Sequence, residues 1–472
     1  MSSFNPMLAV DFIEGRWKEI LPVLSKYITI PNLSPAFDAS WAKNGHMDRA
    51  VGLIESWCST QNLPGRRVAK MNIEGRTPII FIDIPATDGS DKTVLLYGHL
   101  DKQPECGTWR EGLSPWTPVQ DGDRLYGRGG ADDGYAVFAA VTAIQAIHEQ
   151  GVPHARCVII IEASEESGSP DLPAHIEALG SRIGKVDLVI CLDSSCGDYD
   201  HLWRTTSLRG VVMADLRVDV LEHSIHSGSG GGLVDSSFLI LSKLLLLLEE
   251  QLAAKQSTPT ERYLEAQDVG MTLGLSVLDL LPWLDGKNPL RHSSLSHNTI
   301  SYWIMRNTWE FALAVTGIDG IPPLEKAANV LRPYTTARIS LRIPPMESPE
   351  ETVESIRRIL RRVPLPGVNV TFTPKVTAEG WNAPTLAPWL KESLNVASNE
   401  FFGNMSLATG EGGTIPFMGM LGKSFPNAQF LVTGVLGPES NAHGPNEFLH
   451  IPTAKKVTAC VAQIIADHSR SR

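Results

Sequence analysis

The sequence predicts an α/β domain interrupted by a smaller α+β insertion. Two observations lead there. Short, nearly continuous apolar runs alternate with helix-period segments over the first 200 or so residues and again near the C-terminus. From about residue 209 the texture changes to loosely alternating strands and a strongly charged helix. The length of 472 residues accommodates both parts. A hydrophobic content of 43% with 20% charged residues is that of a globular chain, which excludes a disordered or fibrous one.

Asn5-Pro6 is a cap and first-turn pair for a helix reaching about Ile28, with Pro22 predicting a break or kink. Ile79–Ile84, Val94–Tyr97, Val158–Ile161 and Leu188–Leu192 read as strands buried on both faces of a helix-covered sheet. Ala136, Val137, Ala140, Val141, Ile144 and Ile147 trace a helix face that Gly151 stops. Val211–Val220, Thr336–Ile343 and Val368–Phe372 are strands of the insertion, and Ser348-Pro349 with Glu351 opens its charged helix. Phe238–Leu248 is 11 residues long and contains Lys243, too short for a bilayer, and reads as a buried helix. Helices near Trp389–Phe402 and Pro452–His468 and a strand at Gln429–Val435 return to α/β texture. The predicted division is residues 1–208 and 381–472 for the α/β domain and 209–380 for the insertion. Residues 255–330 are irregular and are assigned no elements.

Charge and cysteine usage narrow the class. Lys plus Arg number 41 and Asp plus Glu 52, a formal charge of −11, which argues against a nucleic-acid or anionic-membrane partner. The six cysteines form no CxxC pair, which predicts a reducing compartment and no cysteine-based zinc ribbon. The first 20 residues break their apolar positions with Asp11, Glu14 and Arg16, unlike a signal peptide or membrane span. Gly422-Lys423-Ser424 lacks the earlier glycine of a phosphate loop, and there is no nucleophile elbow.

The chemistry is concentrated after the strands. Sites in open α/β sheets form beyond the carboxyl ends of the strands. There the sequence places His99 and Asp101, then Asp132-Asp133, Glu165-Glu166, Asp193 and, near the C-terminus, His443. Each alone has an ordinary reading as a loop pair, a helix cap or a solvated turn. Brought together, their carboxylates would not jointly ionise unless compensated. Two divalent cations would compensate them, with imidazoles completing the coordination and a bidentate Asp as a bridge. Mixed His/carboxylate donors suit Zn²⁺, Mn²⁺ or Co²⁺ better than Ca²⁺. Adjacent glutamates on extended backbone would point apart, so that one could ligate while the other acts on a water.

The segments YGHLDKQPE, LYGRGGADDG, EASEESGSPDL, CLDSS and NAHGPNE resemble, in order, the motifs of the M20 family of dinuclear zinc peptidases, and most of all its cytosolic, carnosinase-related dipeptidases. The resemblance spans nearly the whole chain, including SIHSGSGGG and EGGTIP. It implies a three-layer catalytic domain with an inserted ferredoxin-like lid and dimerisation domain. It implies two metal ions per subunit, zinc first and manganese or cobalt as alternatives. Asp132 would bridge them, with His99 and Asp193 on one ion and Glu166 and His443 on the other. A hydroxide between the metals would attack the peptide bond of a dipeptide. Glu165 would be general base and acid, Asp101 would orient the His99 imidazole, and the Asp132-Asp133 peptide would be cis. His226 would stabilise the oxyanion in a partner subunit's site. Arg342 and the backbone of Gly412, Gly413 and Thr414 would hold the substrate's C-terminal carboxylate. A cytoplasmic homodimer with a small peptide substrate is implied by the same resemblance. Ser194-Ser195-Cys196-Gly197 departs from the family's Asn-aromatic pair, and Gly410 stands where an Arg often precedes EGG. An N-acyl- or N-carbamoyl-amino-acid amidohydrolase on the same metals is the alternative within hydrolysis, and a non-catalytic binding protein the alternative outside it.

Overall fold

The computed structural model describes residues 3–253, 259–273 and 300–471. Part of the unassigned 255–330 stretch therefore lies outside the described residues. The chain forms two compact units, one of Met1–Thr205, Ala383–Ala408 and Met420–Arg472, the other of Thr206–Asn382 and Thr409–Gly419.

The first unit is built on a six-stranded sheet. Its strand order is Arg67–Met71, Ile79–Ile84, Arg156–Glu162, Lys92–His99, Lys185–Cys191 and Gln429–Val432. The last four run parallel, and Ile79–Ile84 alone is reversed, antiparallel to both of its neighbours. Alternate residues such as Leu96, Ile159, Ile161 and Ile190 join the core under the helices Pro6–Ile28, Ala136–Glu149 and Ile451–Arg470. Leu95, Ile160 and Val189, pointing the other way, are buried as well. That double burial is why these strands read as unbroken apolar runs. Lys92–His99 has Arg156–Glu162 on one side and Lys185–Cys191 on the other. Connections thus diverge at its carboxyl end, the place where such sheets open a crevice.

The first helix runs unbroken through Pro22 from its Asn5 cap to Ile28. Its buried face of Ile13, Trp17, Ile20, Leu24 and Tyr27 outweighs the roughly 3 kcal/mol that an interior proline costs. Its end is fastened by Lys102, whose Nζ donates to the carbonyls of Tyr27 and Ile30, both at 2.8 Å, with its ammonium 3.9 Å from the Tyr27 ring centre.

The second unit carries the antiparallel order Ala312–Asp319, Tyr334–Ile343, Gly210–Asp219, Asn369–Ala378. With the helices Ser237–Ala253 and Pro349–Arg361 it makes the β-α-β-β-α-β, ferredoxin-like arrangement. Both helices lie on one face, where Val212, Ala214, Leu216, Ile339 and Leu341 meet Leu241, Leu244 and Ile356. The other face carries ion pairs, Arg338 to Asp215 at 2.8 Å among them. The Ser237–Ala253 helix is not buried all round: Ile240, Leu241, Leu244 and Leu248 are inside, whereas Phe238, Leu239 and Leu246 are exposed. After His226 the chain makes one helical turn, Ser227–Gly230. Ser348 caps the charged helix by accepting from the Glu351 N–H at 3.2 Å. No described helix is long and apolar enough to cross a membrane.

Leu244, 2% exposed, is central to this smaller core. Leu244→Ala should lower the unfolding free energy by about 2–5 kcal/mol in urea titration, and Ser348→Ala by about 1 kcal/mol. A Leu244→Ala loss under about 0.5 kcal/mol, the range of ordinary surface changes, would contradict its place in the core.

Candidate metal centre

The polar ends of the parallel strands converge. His99 closes its strand, and its backbone N–H donates to Asp133 Oδ2 at 3.1 Å. Gly98 permits this approach, because a Cβ there would lie 2.6 Å from the same oxygen and 2.7 Å from Ala136 Cβ. Asp132 sits in the kinked segment Gly130–Gly134, where the Asp132-Asp133 peptide is cis. Glu165 and Glu166 lie on a short 3-10 turn, Glu165–Ser167, and not on extended backbone. The Asp101 carboxylate makes that turn, since its two oxygens accept the N–H groups of Glu165 and Glu166, each at 3.0 Å. On a three-residue turn neighbouring side chains still diverge, by about 120°.

Two groups of donors result. His99, Asp132 and Asp193 offer ligand atoms within 4.8 Å of one another, and so do Asp132, Glu166 and His443. Asp132 belongs to both through different oxygens: Oδ1 is 3.1 Å from His99 Nε2, and Oδ2 is 3.0 Å from His443 Nε2. His99 Nε2 is 3.7 Å from Asp193 Oδ2, and His443 Nε2 is 3.2 Å from Glu166 Oε2. Behind them, His99 Nδ1 faces the Asp101 carbonyl at 3.1 Å and its Oδ1 at 3.5 Å. Gln103 donates to Glu166 Oε2 at 2.8 Å. His99, Asp132 and Asp193 are buried, whereas the His443 side chain is exposed.

The electrostatics are those of a site short of positive charge. Burial pushes the Glu165 carboxyl well above its usual range, and the Asp193 charge adds to this. Burial, then Asp132, also raises Glu166. Burial opposes a proton on His443, but its hydrogen bonds to Asp132 and Glu166 win and push it up to about 11. His99 is raised well above its ordinary value in the same way, against burial, chiefly by Asp193 and hydrogen bonds to Asp101 and Asp132. Burial of Asp132 is overcome by the two imidazoles, which hold it below the usual carboxylate range. The acids thus force protons onto both rings. Divalent cations held by the same lone pairs relieve the same charge, so the donor set fits them.

Beneath the site, Glu162 accepts hydroxyls from Tyr97 at 2.6 Å, Ser169 at 2.8 Å and Ser164 at 3.1 Å. Sequence reasoning missed this residue; its signal was an acid ending an otherwise apolar strand.

The remaining sequence-predicted residues belong to the second unit. His226 is exposed on the strand Ile225–His226, its Nδ1 accepting the Gly228 N–H at 3.1 Å. Arg342 Nη1 donates to Thr414 Oγ1 at 2.9 Å, and Thr414 Oγ1 donates to the Arg209 carbonyl at 2.5 Å. Arg209, absent from the predicted set, donates through Nε to the Gly412 carbonyl at 3.1 Å. Burial, aided by the Arg342 charge, lowers its pKa to about 10. No carboxylate faces either guanidinium among the described residues. Gly413 has open space where a Cβ would stand.

Fold and site together define a metal-dependent hydrolase. The chain belongs to peptidase family M20/M25/M40, whose sequence profile matches residues 95–467, and it is an enzyme of the metallopeptidase class. It is 24% identical over 400 residues to a cysteinylglycine-S-conjugate dipeptidase of Corynebacterium striatum, covering 81% of this chain and 82% of that one. It is 26% identical over 475 residues to the Cys-Gly metallodipeptidase dug1 of Schizosaccharomyces pombe, covering 93% and 94%. The solved structure of the di-peptidase Dug1p from Saccharomyces cerevisiae superimposes with a TM-score of 0.75 at 21% identity over the full length of both chains.

Glu162 yields a pH test. Burial and then the Asp101 charge raise its carboxyl to about 7, against hydrogen bonds from Tyr97 and Ser169 that pull it down. The folded chain therefore holds this proton more tightly than the unfolded chain does. The resulting stabilisation is complete below about pH 4.5 and is lost as pH rises through about 7. Glu162→Gln should remove that component, so wild type minus variant in chelator-treated protein should fall between those pH values. A difference that stays flat or rises would refute the assignment.

Proposed function

We propose that the protein is a metal-dependent dipeptidase that hydrolyses the peptide bond of short peptides with a free C-terminal carboxylate. The observation that carries this is Asp132 presenting one oxygen to each of two His/carboxylate groups. Family membership and the dipeptidase names of its relatives support it. Asp132 would be shared by two divalent ions, with zinc favoured by the nitrogen and oxygen donors over calcium, and manganese or cobalt as alternatives. His99 and Asp193 would hold one ion, and Glu166 and His443 the other. Bound there, such ions acidify a water and polarise a carbonyl.

The chain's own groups do the rest. Glu165 takes the proton of the attacking water and returns it to the leaving amine. Its raised affinity for a proton suits both halves of that task. Asp101 fixes the Glu165–Glu166 turn and orients His99. His226, supplied by a partner subunit, donates to the developing oxyanion. Arg342 and the backbone of Gly412, Gly413 and Thr414 take the substrate carboxylate. Arg209 joins them as a second cation, supplying the charge that Gly410 does not. Two guanidiniums without an acid partner among the described residues are the electrostatic signature of an anion site.

The assembly we propose is a cytoplasmic homodimer formed through the second unit. The edge strand Ala312–Asp319 pairs on one side only among the described strands and exposes Val315 and Ile318. Phe238, Leu239 and Leu246 add exposed apolar surface to that unit.

Glu165→Gln should retain bound metal while losing at least about a thousandfold in kcat, the upper part of the range for one proton-transfer group. Near-wild-type turnover would refute the base assignment. Arg342→Met and Arg209→Met should each raise KM for free-acid dipeptides about 10–100-fold, the cost of one charge-assisted contact. Neither should change the rate on C-terminally amidated analogues, and equal losses on both substrates would remove the carboxylate role. A panel of dipeptides, N-acetyl and N-carbamoyl amino acids, with and without chelator, separates this function from an amidohydrolase. Sedimentation should give twice the 51.5 kDa chain mass.

A further inference from the structure

His443 is the outlier among the candidate ligands. It is exposed and stands on a loop rather than at a strand end. The loop is also conformationally costly: Asn441, His443 and Asn446 all have positive φ, at 54°, 63° and 63°. Left-handed backbone is disfavoured for a residue with a β-carbon, least so for Asn and more for His443 itself. Something must hold this loop while its imidazole faces Asp132 and Glu166.

The holder lies underneath. Arg128 and Glu447 are 1% and 0% exposed and meet through Nη1 and Oε2 at 2.5 Å. Arg128 Nη2 also donates to the carbonyl of Gly444, next to His443, at 2.7 Å. Glu447 Oε1 accepts the Gly129 N–H at 2.9 Å, and its own carbonyl accepts the Gly127 N–H at 3.0 Å. All four bonds therefore run from donors at 127–129, just before Asp132, to acceptors at 444–447, just after His443. Neither side chain belongs to a donor group of the centre. A buried ion pair of this kind adds little net stability over an apolar pair, while breaking it costs several kcal/mol. Its value lies in geometry.

We infer that the Arg128–Glu447 pair is a clasp that positions His443 against Asp132, and so sets the affinity of one metal site without setting the other. Both are positioning residues, and the inference rests on the proposed two-ion centre. His99 and Asp193 are held by their own strands and lie outside the clasp.

The test uses the full-length protein, stripped with a chelator and titrated with Zn²⁺ against a competing chelator. Wild type should bind two ions. Glu447→Gln keeps an acceptor for Gly129 but loses the charge. It should weaken one ion about 10–100-fold, the usual cost of losing such a supporting contact, and leave the other unchanged. Arg128→Lys cannot span both acceptors as a guanidinium does and should show the same one-sided loss. His443→Ala should weaken that same ion, and adding Glu447→Gln to it should cost nothing further, because both act through one ligand. In turnover, excess Zn²⁺ should restore Glu447→Gln but not His443→Ala.

Equal weakening of both ions, unchanged binding, or additive losses in the double variant overturns the inference. If neither Glu447→Gln nor Arg128→Lys folds, the pair serves the fold alone and the inference falls. Fewer than two ions in wild type defeats the two-ion centre, and this inference with it. Two ions in wild type with no selective loss defeats only this inference.

Discussion

The structure depends on one electrostatic constraint: carboxylates gathered at the ends of parallel strands must be compensated. Asp132, Glu165, Glu166 and Asp193 gather around the imidazoles of His99 and His443. The sheet order imposes this crowding. Lys92–His99 lies between its two parallel neighbours, so the carboxyl ends of all three strands empty into one crevice and bring His99, Glu165-Glu166 and Asp193 together. The fourth parallel strand leads to His443. The same geometry that buries apolar side chains on both faces of the sheet leaves the polar turns nowhere else to go.

Much of this was legible in the sequence, for a physical reason. Strands buried on both faces must be apolar throughout, so Val158–Ile161 and Leu188–Leu192 announced themselves, and ligands bind just beyond the carboxyl end of a parallel strand. The α+β character of the second unit was legible in the alternation of Val211–Val220 and in the Ser348 cap. Pro22 does not break the first helix, because the buried face carrying Trp17 and Leu24 outweighs the local rule about proline. The Phe238–Leu248 run misled because composition does not say which side of a helix is covered. The Glu165-Glu166 pair lies on a 3-10 turn because a residue 64 positions earlier, Asp101, binds its backbone. No local pattern encodes that.

Supporting residues were harder to see than donors. Glu162, Gln103, Arg209 and the Arg128–Glu447 pair are ordinary in sequence. Arg128 and Glu447 even fall inside segments singled out for their neighbours. What distinguishes them is burial combined with partners far along the chain, which only the fold supplies. Their contacts go mostly to backbone groups and hydroxyls and only once to an opposite charge, which suits residues that fix loops in place.

Lys102 extends this logic to the start of the chain. It directly follows Asp101, and its ammonium is sealed in by carbonyls of Tyr27 and Ile30 and by an aromatic ring. Burial drives its pKa well below the usual lysine range, outweighing the attraction of the Glu447 charge. The opening helix thereby acts as a stopper over a cation whose sequence neighbour shapes the Glu165–Glu166 turn. Trimming that helix would uncork the ammonium, and the disturbance would reach chemistry that the amino terminus never touches.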